Sequence, residues 1–236
     1  MQAGLAWLYP DVCQLCENEP ATAREGYVGQ ACRRQVKTIQ APFCERCGLP
    51  HAGEIKAEYL CGNCADMELY FSSARSALVA KSVVLEVIHR FKYNGALWFQ
   101  PFLTEHLIQA AQPCLQKAGF DAIIPIPLHA LKLREREYNQ AERLAKPLSQ
   151  ALGIPLKTNI LRRKNPTQTQ TRLSREERAL NMDNAFEVID TAKAKNGRFI
   201  LIDDVFTTGA TSNAAAKALK AANAQEVCVW TVARGL

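Results

Sequence analysis

The chain has 236 residues, 48% of them hydrophobic and 22% charged, with a net charge of +6. That suits one medium domain with a small appendage and excludes a disordered or fibrous chain, while the modest positive excess fits polyanionic partners without requiring them. No run of eighteen apolar residues exists, and Met1 to Pro10 lacks the charged start and long apolar core of a secretory signal, so a cytoplasmic protein without membrane insertion is expected.

Nine cysteines would suggest disulfides in a small secreted chain, but most fall before residue 65 of a chain with no export signal, and metal is the better reading. Residues 1–68 are therefore expected to form a Cys-rich zinc module. Cys44 and Cys47 make one C-x2-C knuckle and Cys61 and Cys64 another, and together they supply the closed tetrahedral thiolate set of structural Zn²⁺. Four thiolates leave no open position for water, so no catalytic zinc is implied. Upstream, Cys13 and Cys16 form a third knuckle while Cys32 stands alone, with Gly29 where a partner cysteine would sit. Three thiolates do not close a structural site. His51 is a candidate fourth donor or an ordinary loop histidine, and this set reads equally as metal-holding or degenerate.

Residues 69–236 alternate strand and helix patterns. A strand is expected over Ser72 to Ala80, followed by an amphipathic helix with Val84, Val87, Ile88 and Phe91 at helical spacing and a stop at Gly95. Lys92, just before that stop, either complements the helix dipole or points toward a phosphate. A helix from Leu97 to Ala118 and a buried strand from Phe120 to Pro127 come next. The basic residues Lys132, Arg134, Arg136 and Arg143 then lie around Tyr138, Asn139 and Gln140, as a solvated helix face or as a cluster meeting a pyrophosphate. Tyr138 to Gln140 open a helix that runs to Leu152, and a short strand is expected over Leu156 to Leu161. From Arg162 to Thr171, including Arg163 and Lys164, the chain is polar and aperiodic. Such a loop can close over a pyrophosphate, lie along a nucleic-acid backbone or simply connect. Ser174 with Glu177 has capping-box spacing ahead of a helix to Met182, and strands near Phe186 to Ile189, Phe199 to Ile202 and Val227 to Val232 finish a doubly wound parallel sheet.

Phe199-Ile200-Leu201-Ile202 is an apolar run suited to a strand buried on both faces, and Asp203 and Asp204 follow at its carboxyl end, where open α/β sheets bind ligands. Thr207, Thr208, Gly209, Ala210 and Thr211 then form a small turn rich in hydroxyls before an Ala-rich helix from about Ser212 to Ala222. Backbone N–H groups of such a turn converge on an anion, and the two acids accept hydrogen bonds from a diol. Phe206 lies beside the cradle as a candidate surface for a stacked base. This order of residues resembles the phosphoribosyl pyrophosphate (PRPP) signature of type I phosphoribosyltransferases, in which the paired acids bind the ribose 2′ and 3′ hydroxyls and the loop binds the 5′-phosphate.

The whole chain resembles the ComF/GntX family of bacterial proteins. The shared features are the cysteine knuckles, Ile88-His89-Arg90-Phe91-Lys92-Tyr93, Ile124 to Leu128, Arg134 to Gln140, Thr169-Gln170 with Leu173-Ser174 and Arg178, Asn184-Ala185-Phe186, and the Asp203 to Thr211 loop. The resemblance implies a zinc module on a type I phosphoribosyltransferase-like domain spanning 69–236, and a role in natural competence, helping single-stranded DNA enter the cytoplasm alongside proteins of the uptake machinery. Two positions depart from the family pattern: Glu137 replaces a glycine, and Cys32 lacks its companion. Two functions follow as expectations. One is binding of PRPP or ribose 5-phosphate together with single-stranded DNA. The other is an active, PRPP-dependent glycosyltransferase of nucleotide metabolism that transfers phosphoribosyl to a base, with Mg²⁺ on the pyrophosphate and Asp204 as a candidate general base.

Overall fold

The computed structural model describes residues 11–53, 59–164 and 185–236. The expected capping box at Ser174 and Glu177, the helix to Met182, the loop from Asn165 to Thr171 and the Thr169 to Asn184 family segments lie outside them. Six strands are described: β1 (Ser73–Val79), β2 (Ala122–Pro125), β3 (Leu161–Arg163), β4 (Phe186–Val188), β5 (Arg198–Phe206) and β6 (Glu226–Arg234). The helices are α1 (Gln30–Arg33), α2 (Gly62–Ala65), α3 (Val83–Tyr93), α4 (Gln100–Leu115), α5 (Ala130–Arg136), α6 (Gln140–Leu152), α7 (Thr191–Ala194) and α8 (Ala210–Ala221).

Four strands form a parallel sheet in the order β1-β6-β5-β2. The alternation of strand side chains sorts the apolar run of β5 into two layers. Ile200 and Ile202 pack with Leu103, Leu107, Leu144 and Leu148 of α4 and α6, while Phe199 and Leu201 pack with Ala215, Ala216 and Leu219 of α8. Both faces of the central strands are thus covered, as the unbroken apolar run requires. The expected phosphoribosyltransferase-like parallel α/β core is present. Among the described residues no helix is long and apolar enough to cross a membrane.

Two expected strands fall differently. Leu156 makes one parallel bridge to Ile123, through Ile123 N–H to Pro155 O (2.8 Å) and Lys157 N–H to Ile123 O (2.9 Å), and the ladder ends there. The next outward-facing donor on β2 would be the backbone nitrogen of Pro125, which carries no hydrogen. The chain bends away, and Leu161–Arg163 pair antiparallel with Phe186–Val188. β4 therefore belongs to a separate two-stranded ribbon over α8, not to the main sheet.

The cysteine-rich segment is built onto this core. Val79 N–H donates to Lys37 O and Ile39 N–H to Ala77 O, both 2.9 Å, so residues 37–39 run along the outer edge of β1. The first knuckle region packs on α3 and α4: Cys13, Val28 and Cys32 join the same apolar cluster as Phe99 and Phe102, and Arg33 pairs with Glu105 at 3.0 Å. Gly26, at φ 65°, approaches α4 so closely that a Cβ there would stand 2.7 Å from Phe102 N. Gly26→Ala is expected to lower the unfolding free energy by about 1–3 kcal/mol. An unchanged urea midpoint would show that the segment is not seated on α4 in this way.

Candidate functional site

At the carboxyl ends of β2 and β5 lies a cavity of about 480 Å³, the place where open parallel sheets take ligands. β5 runs on through the acids to Phe206, so Asp203 and Asp204 occupy the last turnings of the strand instead of following it. Adjacent strand residues ordinarily face opposite ways. Here the Asp203 carboxylate folds back to accept the Asp204 N–H (2.9 Å), and both residues line the same cavity. Asp204 is buried, with Oδ1 held by Lys92 Nζ at 2.7 Å, and its Oδ2 has no hydrogen-bond partner among the described residues. Gln140 Oε1 and Arg136 Nε, also on the cavity wall, are buried and unpartnered in the same sense. Three such atoms around one hollow call for ligand groups or water.

Electrostatics follow from this crowding. Burial, and then the neighbouring Asp204 carboxylate, push the Asp203 carboxyl up to about 7, against the opposing pull of Lys92 and Arg163. Burial alone would pull the Lys92 ammonium down, but the two aspartates outweigh it and hold its pKa above the ordinary lysine value. Lys92 is thus a firmly charged cation at the end of α3.

The turn after β5 is shaped by Gly209, whose φ of 79° caps α8 and whose Cβ, if present, would lie 2.5 Å from the Phe206 ring. That is the close approach only glycine permits. Thr207 and Thr211 line the main cavity, Ala210 N–H points to Thr208 Oγ1 at 3.4 Å, and Thr208 borders a smaller hollow of about 180 Å³ shared with Cys47, Cys64 and Arg234. The first N–H groups of α8 lack helical acceptors, as at any helix start. Phe206 is not a stacking surface for a base. It is buried, with Phe71 edge-on at 6.0 Å and the Arg234 guanidinium over its ring at 4.8 Å.

Of the basic candidates, Lys92, Lys132, Arg136 and Arg163 line the cavity, and Arg134, Arg143 and Lys164 do not. Arg134 and Arg143 are exposed, and Lys164 pairs with Glu187 at 3.0 Å. His89, Tyr93 and His129 also line the cavity and were not named as candidates from the sequence. His89, Lys92 and Tyr93 stand at i, i+3 and i+4 on α3, so their shared face was available as a signal. Tyr93 is 54% exposed at the rim, with the Arg136 guanidinium 4.7 Å over its ring. Glu137, the residue in place of glycine, adopts φ 65°, a left-handed conformation costing a non-glycine residue about 1–2 kcal/mol. The following residues hold the junction: Tyr138 OH donates to Phe91 O, and Asn139 caps α6 through Ala141 N–H (3.0 Å) while donating to Ile126 O (3.1 Å).

Two thiolate clusters lie apart from the cavity. In the first, the Sγ atoms of Cys44, Cys47, Cys61 and Cys64 lie within 4.8 Å of one another, with Cys47 and Cys61 3.6 Å apart. Burial resists ionisation of Cys44, yet backbone N–H groups of Cys61, Cys47 and Arg46 hold its thiol down at about 7, while burial raises the thiols of Cys47 and Cys64. These four residues fit a structural zinc ion. The other cluster joins Cys13, Cys16 and Cys32 with Glu19. His51 is elsewhere, its ring 4.8 Å from that of Tyr59, and is not a member.

The raised Asp203 carboxyl has a consequence for stability. The native state retains a proton that the unfolded chain releases near the ordinary value of 3.8, so this contribution is complete below that pH and is lost as pH rises through about 7. Asp203→Asn is expected to gain stability relative to the parent steadily from pH 4 to 8 in denaturant titrations. A constant difference across that range would contradict the assignment.

The family pattern described as "Double zinc ribbon domain" matches residues 4–65, and that of the "Phosphoribosyl transferase domain" matches residues 139–236. The chain is 33% identical over 233 residues to competence protein F of Haemophilus influenzae, covering 94% of this chain and 96% of the relative. It is 26% identical to the DNA utilization protein YhgH of Escherichia coli K12 (96% of this chain, 98% of the relative) and 27% identical to competence protein ComFC of Bacillus subtilis (80% and 76%). Among solved structures, an adenine phosphoribosyltransferase matches at 17% identity and TM-score 0.39 over 60% of this chain and 74% of that one. A purine phosphoribosyltransferase from Pyrococcus horikoshii matches at 20% and 0.35 over 56% and 83%. With identity of one third to competence protein F along nearly its full length, and zinc-ribbon and phosphoribosyltransferase patterns in that order, this chain belongs to the competence protein F family.

Proposed function

We propose that the cavity binds a phosphoribosyl ligand, PRPP or ribose 5-phosphate, and that the protein works in the cytoplasm on single-stranded DNA during uptake in natural transformation. The observation that carries the ligand assignment is the pairing of buried acceptors without partners among the described residues, Asp204 Oδ2 and Gln140 Oε1, with the hydroxyls of Thr207 and Thr211 on the wall of one hollow. Acceptors suit the ribose diol, and the turn into α8 suits the 5′-phosphate. Lys92, Arg136 and Arg163 then meet the pyrophosphate, to which Mg²⁺ arriving with PRPP would add charge neutralisation.

The DNA role is supported by relatives named for competence and for DNA utilization, and by the exposed cations Arg134 and Arg143 outside the cavity. Proteins of the uptake machinery are the corresponding partners. One observation favours turnover as a second reading: Tyr93 at the rim, backed by Arg136, offers a face on which a base can stack near the ribose site. In that reading the protein is a glycosyltransferase, and Asp203, half-ionised near neutrality, is better poised as a base than Asp204, which is held by Lys92.

Asp203→Ala combined with Asp204→Ala is expected to abolish PRPP binding in calorimetry while the circular dichroism of the fold is kept. Unchanged affinity would reject the ribose assignment. Incubation with PRPP, Mg²⁺ and a panel of bases separates the two readings: pyrophosphate release above background selects transfer, and its absence with retained binding selects recognition. Binding to oligonucleotides is expected to weaken steeply with salt, with a shallower slope in Arg134→Ala/Arg143→Ala. A flat salt dependence would remove the phosphate-contact argument.

A further inference from the structure

The cysteine count leaves the first ribbon one ligand short, and the structure supplies a residue to fill the place. Cys13, Cys16, Cys32 and Glu19 present three sulfurs and a carboxylate oxygen within 4.8 Å of one another. A tetrahedral zinc with sulfur at about 2.3 Å and oxygen at about 2.0–2.2 Å sets S···S edges near about 3.8 Å and S···O edges near about 3.5 Å. Cys13 Sγ lies 3.7 Å from Cys32 Sγ, and Cys16 Sγ lies 3.6 Å from Glu19 Oε1. Those edges suit one ion at the centre.

Position 29 explains why a glutamate takes the role. Gly29 is the residue that would pair with Cys32 in a second C-x2-C knuckle. A Cβ built there would stand 2.3 Å from the carboxyl carbon and 2.4 Å from Cγ of Glu19. The Glu19 side chain in this position therefore occupies the volume that a side chain at position 29 would claim, and would have to move to admit one. Its carboxylate is fixed by Ala31 N–H (2.8 and 3.1 Å) and Cys32 N–H (3.2 Å), and its own carbonyl accepts Cys13 N–H (2.8 Å), so it is held in place before any metal arrives. A carboxylate offers about four lone-pair sites, enough for these donors and an ion.

We propose that Glu19 is the fourth ligand of the first ribbon, which binds zinc as a three-thiolate, one-carboxylate site. The formal charge equals that of four thiolates, but the harder oxygen makes this the more exchangeable of two zinc sites. The inference is independent of what the cavity binds.

The test uses the full-length chain, with zinc content and the absorption spectrum of the cobalt-substituted protein as readouts. The parent should hold two equivalents of zinc and release them to a chelator in two steps. Glu19→Ala and Glu19→Gln should each lose one equivalent, and Gln is the sharper case because its amide oxygen can still accept the α1 N–H groups. Glu19→Ala with Gly29→Cys should regain the second equivalent and show stronger thiolate-to-cobalt charge transfer than the parent. Two equivalents and an unchanged cobalt spectrum in Glu19→Gln, or one equivalent in the parent, would overturn the assignment, as would failure of Gly29→Cys to restore metal.

Discussion

Two aspartates side by side at the end of a buried strand are tolerated because a lysine from another element reaches them. The Lys92 to Asp204 contact joins α3 to β5 across the top of the sheet, with Asp204 buried and the Lys92 side chain 20% exposed on the cavity wall. Removing one partner of such a pair leaves a buried charge uncompensated, at a cost of about 3–5 kcal/mol. Much of the surrounding architecture serves to keep the end of α3 where this contact needs it. Tyr138 ties to the carbonyl of Phe91, and Asn139 anchors the start of α6 to Ile126. The cavity is the space these constraints leave, with one acid ion-paired and the other lifted toward neutrality.

The second ribbon is coupled to the same site through a short chain of contacts. Arg234, at the end of β6, donates to Cys47 O at 2.6 Å and to Cys47 Sγ at 3.2 Å, and its guanidinium covers the ring of Phe206. That ring lies under Gly209, at the apex of the Thr207 to Thr211 turn. A cysteine sulfur of the second ribbon, an arginine, an aromatic ring and the Thr207 to Thr211 turn are in consecutive contact. The ribbon thus bears on the shape of a turn that begins 160 residues after Cys47 in sequence.

What could be read from the sequence was what has a period or a fixed spacing. The apolar run before Asp203, the helical recurrence of Val84, Val87, Ile88 and Phe91, and the paired knuckles each express local geometry directly. What could not be read depended on partners far along the chain. Pro125 stops a strand that the Leu156 to Leu161 pattern invites, and it does so from the neighbouring strand. Phe206 sits beside the cradle in sequence yet turns inward, because Arg234 and Gly209 enclose it. Composition marked the basic segment near α5, but only its winding decides that Arg136 enters the cavity while Arg134 stays outside. Glu19 carried no spacing signal, and its one trace was a glycine where a cysteine was due.

The strip of chain at residues 37–39 has a meaning beyond its two hydrogen bonds. Among the described residues β1 is the last strand of the parallel sheet on its side, and this strip pairs with its outward row of peptide groups at Ala77 and Val79. A truncated protein starting near Leu69 would expose that row along with apolar side chains now under the ribbons, a template on which copies could polymerise. The cysteine-rich segment is in that respect the sheet's insulation against its own kind, and cannot be shed as a detachable accessory.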